Sequence, residues 1–200
     1  MSIFRDATRA IRMTLVLWIL TAIIYPLAIL GVGQVFFQEK ANGSLVRNLQ
    51  GQTIGSALIG QRFTSDQYFH TRPSTVRYSQ GKNAKPTGIS GASNLAPSNP
   101  ELLKRIVEQA NKLRDDNIPP LADLIYTSGS GLDPHITVTA ARNQLERVAR
   151  ARSLRPEDIR SLIDKYTEGR FLGIFGEPGV NVLKLNYALD IKQYSGQQSK

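Results

Sequence analysis

From Met13 to Phe37 the chain reads MTLVLWILTAIIYPLAILGVGQVFF, and no charged residue interrupts it. An apolar run of about 20 residues crosses a bilayer core of about 30 Å as a helix, and lipid excludes a strand because only a helix satisfies its own backbone there. The pattern therefore predicts a transmembrane helix over 13–37. Its length exceeds a signal-peptide core and no small-x-small cleavage site follows closely, so it reads as an uncleaved anchor. Pro26 removes a backbone donor and is expected to bend the helix. Gly31 and Gly33 leave a smooth face for a neighbouring helix. Trp18, Phe36 and Phe37 are candidate interface anchors.

Beyond the span the pattern breaks into shorter units. Residues 41–63 alternate short apolar pieces with Gly43, Gly51, Gly55 and Gly60, which predicts two or three short strands. Residues 71–99 lose hydrophobic periodicity and are dominated by Ser, Gly, Asn and Pro. A loop of that length is the first place to look for a binding role. Period 3.6 then takes over. Ser98 and Glu101 form a capping box ahead of a stripe through Leu102, Leu103, Ile106, Val107, Ala110 and Leu113, and the helix should end near 115–117, before Pro119 and Pro120. Residues 121–131 are a short strand candidate. A second helix is expected from about Thr137 to Arg152, with Ala141, Leu145, Val148 and Ala149 inward. Ser153 to Glu157 opens a third. Phe171–Phe175 is strand-like, and 181–190 fits either a helix or a strand. There is no internal repeat. The fold class this gives is α+β: a cytoplasmic stretch 1–12, one transmembrane helix 13–37, and a single extracytoplasmic α+β domain 38–200.

Charge sets the orientation. Arg5, Arg9 and Arg12 precede the span against one Asp, so the positive-inside rule favours a cytoplasmic N-terminus. The chain carries +9, and removing residues 1–37 leaves 22 basic against 15 acidic residues, a net +7. On an exported domain that balance points to anionic lipid or an acidic partner. The charges are dispersed, with no basic run and no interleaved aromatics, which argues against nucleic acid. The chain has no cysteine, compatible with export without disulfides.

Three groups are candidates for chemistry. Ser128 or Ser130, Asp133 and His135 supply the residue types of serine hydrolysis. They sit within eight consecutive residues, though, whereas a triad needs separate rigid elements, and no Gly-x-Ser-x-Gly elbow is present. A turn leading into the next helix is the simpler reading. His70 and His135 are the only histidines, and without a close His pair or a calcium-type loop no metal site is expected. Ser90, Gly91, Ala92, Ser93 and Asn94 offer backbone amides that could cradle an anion.

Five strings carry a family resemblance: Gly55–Gln61, Tyr68-Phe-His-x-Arg-Pro-Ser74, Ser93-Asn-Leu-x-x-Ser-Asn-Pro-Glu101, Ser128–Ile136 and Gly176–Asn186. In this order, behind a single N-terminal span, they resemble the C subunit of the Kdp-type potassium-transporting ATPase. The resemblance implies a non-catalytic accessory subunit in the bacterial plasma membrane. Its partners would be a channel-like potassium-carrying subunit, an ATP-hydrolysing P-type subunit and a very small subunit. It also implies a catalytic-chaperone role in which a Ser-Gly-Gly-like loop raises the ATP affinity of the hydrolysing chain. Here that loop is Ser90, Gly91, Ser93 and Asn94, with Ala92 where the family has a second Gly. No tightly bound cofactor is expected, and ATP would enter only through such a ternary complex. A membrane-anchored hydrolase and a free-standing anchored binding module are the alternatives.

Overall fold

The computed structural model describes residues 2–76 and 89–198, and the chain divides into two compact units, Met1–Ser44 and Leu45–Lys200. The middle of the long loop expected over 71–99, residues 77–88, lies outside the described residues.

The first unit is helical nearly throughout. Helix α1 (Ser2–Ile19) passes through a π-helical turn at Leu20–Ile24 into α2 (Tyr25–Phe36), and a short α3 (Gln38–Ala41) follows. Ile3–Phe36 forms a 34-residue helix whose most apolar window is 0 % buried. The helical signal thus begins well before Met13, because nothing in the polar N-terminal stretch breaks it. Pro26 is accommodated rather than disruptive. Its ring conflicts with the carbonyl four residues earlier and it has no N–H to give. The preceding turn widens so that Tyr25 N–H reaches Leu20 O, five residues back. Thr21 Oγ1 donates to Leu17 O at 2.7 Å, so the hydroxyl inside the apolar stretch is satisfied by its own helix.

The second unit holds two small sheets and five helices among the described residues. Strands β1 (Leu45–Arg47) and β2 (Thr53–Ser56) form an antiparallel hairpin with a register irregularity at Val46/Arg47. Helices α4 (Pro100–Asp115) and α5 (Ala122–Ile125) precede β3 (His135–Thr137). Then come α6 (Val138–Arg152), α7 (Pro156–Lys165), β4 (Thr167–Glu168), β5 (Gly179–Asn181) and α8 (Val182–Gln198). The second sheet is antiparallel, in the order β3-β5-β4. One core runs through the unit: Ala140, Ala141, Leu145 and Val148 of α6, Ile159 and Ile163 of α7, Leu185 and Leu189 of α8, with Ile136 and Val180 from the sheet.

Helix α6 starts as the pattern predicts, with Thr137 Oγ1 accepting from Ala140 N–H at 3.2 Å. Three expectations are corrected. The cap of α4 is Asn99, whose Oδ1 accepts from Glu101 N–H at 2.9 Å, and not Ser98. Pro100 decides this: fixed φ and a missing donor suit it to the first helical position, which makes the residue before it the cap. Residues 121–131 hold the short helix α5 instead of a strand, with Leu124 and Ile125 buried one after the other as a single helical turn allows. Phe171–Phe175 is a tight turn closed by one isolated bridge, since Leu172 and Gly173 both take positive φ and reverse the chain. Residues 181–190 combine both readings, as β5 ends at Asn181 and α8 begins at Val182. Replacing Asn99 with Ala should therefore destabilise the domain by about 0.5–2 kcal/mol. Ser98→Ala, on an exposed turn, should stay within about 0.5 kcal/mol in the same thermal melt.

Candidate functional site: a junction of two loops

The two candidate loops of the sequence meet. Gly91 N–H donates to Ser130 O at 2.8 Å, and Ser90 Oγ donates to the same oxygen at 3.0 Å. Ser74 Oγ donates to Gly131 O at 2.7 Å, Ser128 N–H to Pro73 O at 3.0 Å, and Gly60 N–H to Leu132 O at 2.8 Å. Segments separated widely in the chain are thus sewn together through backbone groups that no strand pairing satisfies. The Ser90–Asn94 amides are partly committed by this. Gly91 already uses both its N–H and its carbonyl, the latter accepting from Thr75 Oγ1 at 3.3 Å, and Ser93 Oγ accepts from Arg105 at 3.3 Å.

The serine hydroxyls face their own turn. Gly131 N–H donates to Ser128 Oγ at 3.2 Å, Leu132 N–H donates to Ser130 Oγ at 3.1 Å, and the two hydroxyls lie 3.2 Å apart. His135 looks elsewhere: its Nε2 is 3.1 Å from Glu168 Oε2, whose other oxygen accepts from Lys184 at 2.8 Å. Asp133 accepts from His135 N–H at 2.9 Å and pairs with Arg72 at 3.2 Å. Among the described residues no hydrogen bond joins either serine to His135, so the three types share a loop without forming a relay. The His70 N–H donates to Gln144, and burial, reinforced by the Arg147 charge, pushes its imidazole below the usual histidine range.

Arg72 anchors the junction by bridging Asp133 and Asp123, whose Oδ2 also accepts from Thr137 N–H at 2.9 Å. Burial opposes ionisation of Asp123, yet the hydrogen bonds from Thr137 and Arg72 outweigh it and hold the carboxyl below the ordinary range. A depressed native pKa stabilises the fold above the unfolded value of about 4 and loses that contribution as pH falls through the native one. Urea midpoints should accordingly drop on acidification below pH 4 for the wild type, and Asp123→Asn should remove that part of the slope while lowering the midpoint at pH 7.

A second constellation escaped the sequence reading. The irregular segment 66–72 has no strand partner among the described residues, and helices α6 and α8 hold it by side chains. Asn186 accepts from Phe69 N–H at 2.8 Å and donates to Phe69 O at 3.0 Å. Gln144 does the same for His70, at 2.7 and 3.1 Å. Arg147 donates to Asp66 O and Tyr68 O at 2.8 and 2.9 Å. Arg152 donates to Gln67 O and to Asp190 at 2.7 Å, and stacks 4.7 Å from the Tyr68 ring centre. The signal was present but ambiguous: Arg152 falls on the same helical face as Ala141, Leu145 and Val148, where a polar residue reads as the end of a stripe.

Residues 7–191 match the family described as "K+-transporting ATPase, c chain". The chain belongs to that family. It is 67 % identical over its full length, and the relative's, to the Potassium-transporting ATPase KdpC subunit 2 of Nostoc sp.. The KdpC subunit of Synechocystis sp. is 61 % identical over 93 % of this chain and 98 % of its own length. That of Clostridium perfringens is 44 % identical over 95 % and 98 %. Four of the five strings that carried the resemblance contribute contacts to the two constellations, Gly55–Gln61 through Gly60 N–H on Leu132 O. Tyr68–Ser74 is the segment the helices clamp, and Ser128–Ile136 is the loop it is sewn to. Gly176–Asn186 supplies β5 and Asn186. For this KdpC-family chain, membership means one chain of a multi-chain ATPase, with the hydrolytic site on another chain.

Proposed function

We propose that this chain is the accessory subunit of a potassium-uptake ATPase in the bacterial plasma membrane. Its N-terminal helix spans the bilayer with residues 1–12 in the cytoplasm, and its α+β unit lies outside against the potassium-carrying subunit. That subunit, a P-type ATP-hydrolysing subunit and a very small subunit are its partners. The observation that carries this reading is the long helix Ile3–Phe36, whose most apolar window is 0 % buried. Arg5, Arg9 and Arg12 ahead of the span support the orientation. The candidate chemical groups at the junction are engaged in holding loops together, which supports a structural role.

A chaperone role through ATP at Ser90–Asn94 has less support. The Gly91 amide is already donated to Ser130 O, and a domain outside the cell does not meet cytoplasmic ATP. On this reading the chain holds no tightly bound nucleotide. In mild detergent it should co-purify with the larger ATPase chains, whereas a free-standing module would come out alone. Protease added to spheroplasts should remove the unit beginning at Leu45, and its protection would contradict the orientation.

A further inference from the structure

Between β4 and β5 the chain makes a turn that presents four large apolar side chains to solvent. Phe171, Leu172, Ile174 and Phe175 are 71, 74, 71 and 62 % exposed. The turn is closed by its own backbone: Phe171 N–H donates to Phe175 O at 2.8 Å, Phe175 N–H to Phe171 O at 3.0 Å, and Gly173 N–H to Arg170 O at 3.0 Å. Its backbone is also strained. Leu172 has φ +54°, and the other non-glycine residues with positive φ among those described are Ser44, Asn94, Asn117 and Ser153. Short polar residues tolerate that region because their side chains hydrogen-bond locally, which leucine cannot do. Leu172 thus holds an unfavourable backbone with no burial to offset it. Strain kept at an exposed apolar tip marks a contact made outside this chain.

We propose that the Arg170–Glu177 turn is a docking knob that seats in an apolar pocket on the extracytoplasmic surface of another chain of the same ATPase. This rests on the accessory-subunit reading above. Charge decides between a protein pocket and a lipid surface. Apolar tips that enter bilayers are ringed by cations that meet anionic headgroups. Along 165–177 the charges are Lys165, Glu168, Arg170 and Glu177, with no ring of cations, in a unit that elsewhere is strongly basic. Arg170 is moreover paired with Glu177 at 3.4 Å, and Glu168 with Lys184 at 2.8 Å. A rim whose carboxylates are both paired, around exposed aromatic anchors, is the arrangement of a protein hot spot: the anchors fill a pocket and the rim excludes water. The prebuilt turn reduces the ordering cost of docking.

The test uses the full complex purified in mild detergent. The double variant Phe171→Ser, Phe175→Ser should reduce the amount of this chain retained with its partners at least tenfold, while its own melting temperature is unchanged because both rings are exposed. Leu172→Gly should lower retention severalfold and leave the melting temperature unchanged or higher, since glycine accepts the positive φ. A purely structural turn would move both readouts together. Retention of the double variant at the wild-type level overturns the knob, as does a fall in melting temperature that parallels the loss for both variants. In a Trp18→Phe background, where the introduced indole is the only one in this chain, Phe171→Trp in nanodiscs holding this chain alone should resist quenching by brominated lipid, and strong quenching would place the turn in the bilayer and overturn the proposal. Self-association of the isolated wild-type chain, lost in the double variant, would assign the turn to a second copy and overturn it equally. A wild-type chain that fails to co-purify at all sinks the accessory-subunit reading together with this one. Wild-type co-purification with an equally retained double variant sinks the knob alone.

Discussion

Replacing Asn186 with Ala should destabilise the α+β unit by about 2–5 kcal/mol, because it strands two buried backbone groups at once. Asn186 is 1 % exposed and gives both of its amide atoms to Phe69, itself fully buried. Neither the Phe69 N–H nor its carbonyl gains a substitute, as the segment around it has no strand neighbour among the described residues. The amide therefore does what a partner strand would do elsewhere. Asn186→Asp tests the same point differently. The carboxylate can still accept from Phe69 N–H but cannot donate to Phe69 O, so the loss should be comparable, with an added cost for a buried charge. Asn111→Ala on exposed α4 should change stability by less than about 0.5 kcal/mol. Chemical denaturation of the three variants decides it, and a small loss at Asn186 would show that the segment 66–72 is held by packing alone.

Gly131→Ala should be nearly as damaging, by about 2–4 kcal/mol, and for two reasons that act together. Gly131 has φ +71°, where an L-residue pays a steric penalty of about 1–2 kcal/mol. A Cβ there would also stand 2.6 Å from Gly91 O and 2.7 Å from Val76 Cγ2. The first of these is backbone and cannot swing away, so the Ser90–Asn94 loop must separate from the Ser128–His135 loop, an overpacking cost of about 1–3 kcal/mol. Gly129, two residues earlier, has open space around its Cβ position. Gly129→Ala is the control, with an expected change inside about 0.5 kcal/mol. Equal melting temperatures for the two variants would mean that the loop junction is not a tight contact.

Which features the sequence revealed follows from how local their causes are. The apolar run of the span, the stripes of α4 and α6 and the Thr137 cap depend on neighbours within one or two turns, and the pattern contains them. The cap of α4 was misplaced by one residue because Ser98 and Glu101 satisfy the spacing rule, while the stronger constraint was Pro100. The short helix α5 looked like a strand because a single turn buries consecutive residues and shows no period. The clamp on 66–72 depends on pairs such as Gln144 with His70 and Asn186 with Phe69. Their separations of 74 and 117 residues leave no trace in any window. The same holds for Arg72 with Asp123. The loops Ser90–Asn94 and Ser128–His135 were both singled out from local composition, but that they form one junction depends on the fold.

On the accessory-subunit reading this chain contributes assembly and no reacting group. Potassium-stimulated ATP hydrolysis by the purified complex, prepared without this chain and then with it added back, tests that most directly. A fall of at least about tenfold is expected without the chain. Adding back either the wild type or a folded His135→Gln variant should restore the activity. Full turnover in its absence, or recovery by the wild type but not by His135→Gln, would contradict that reading.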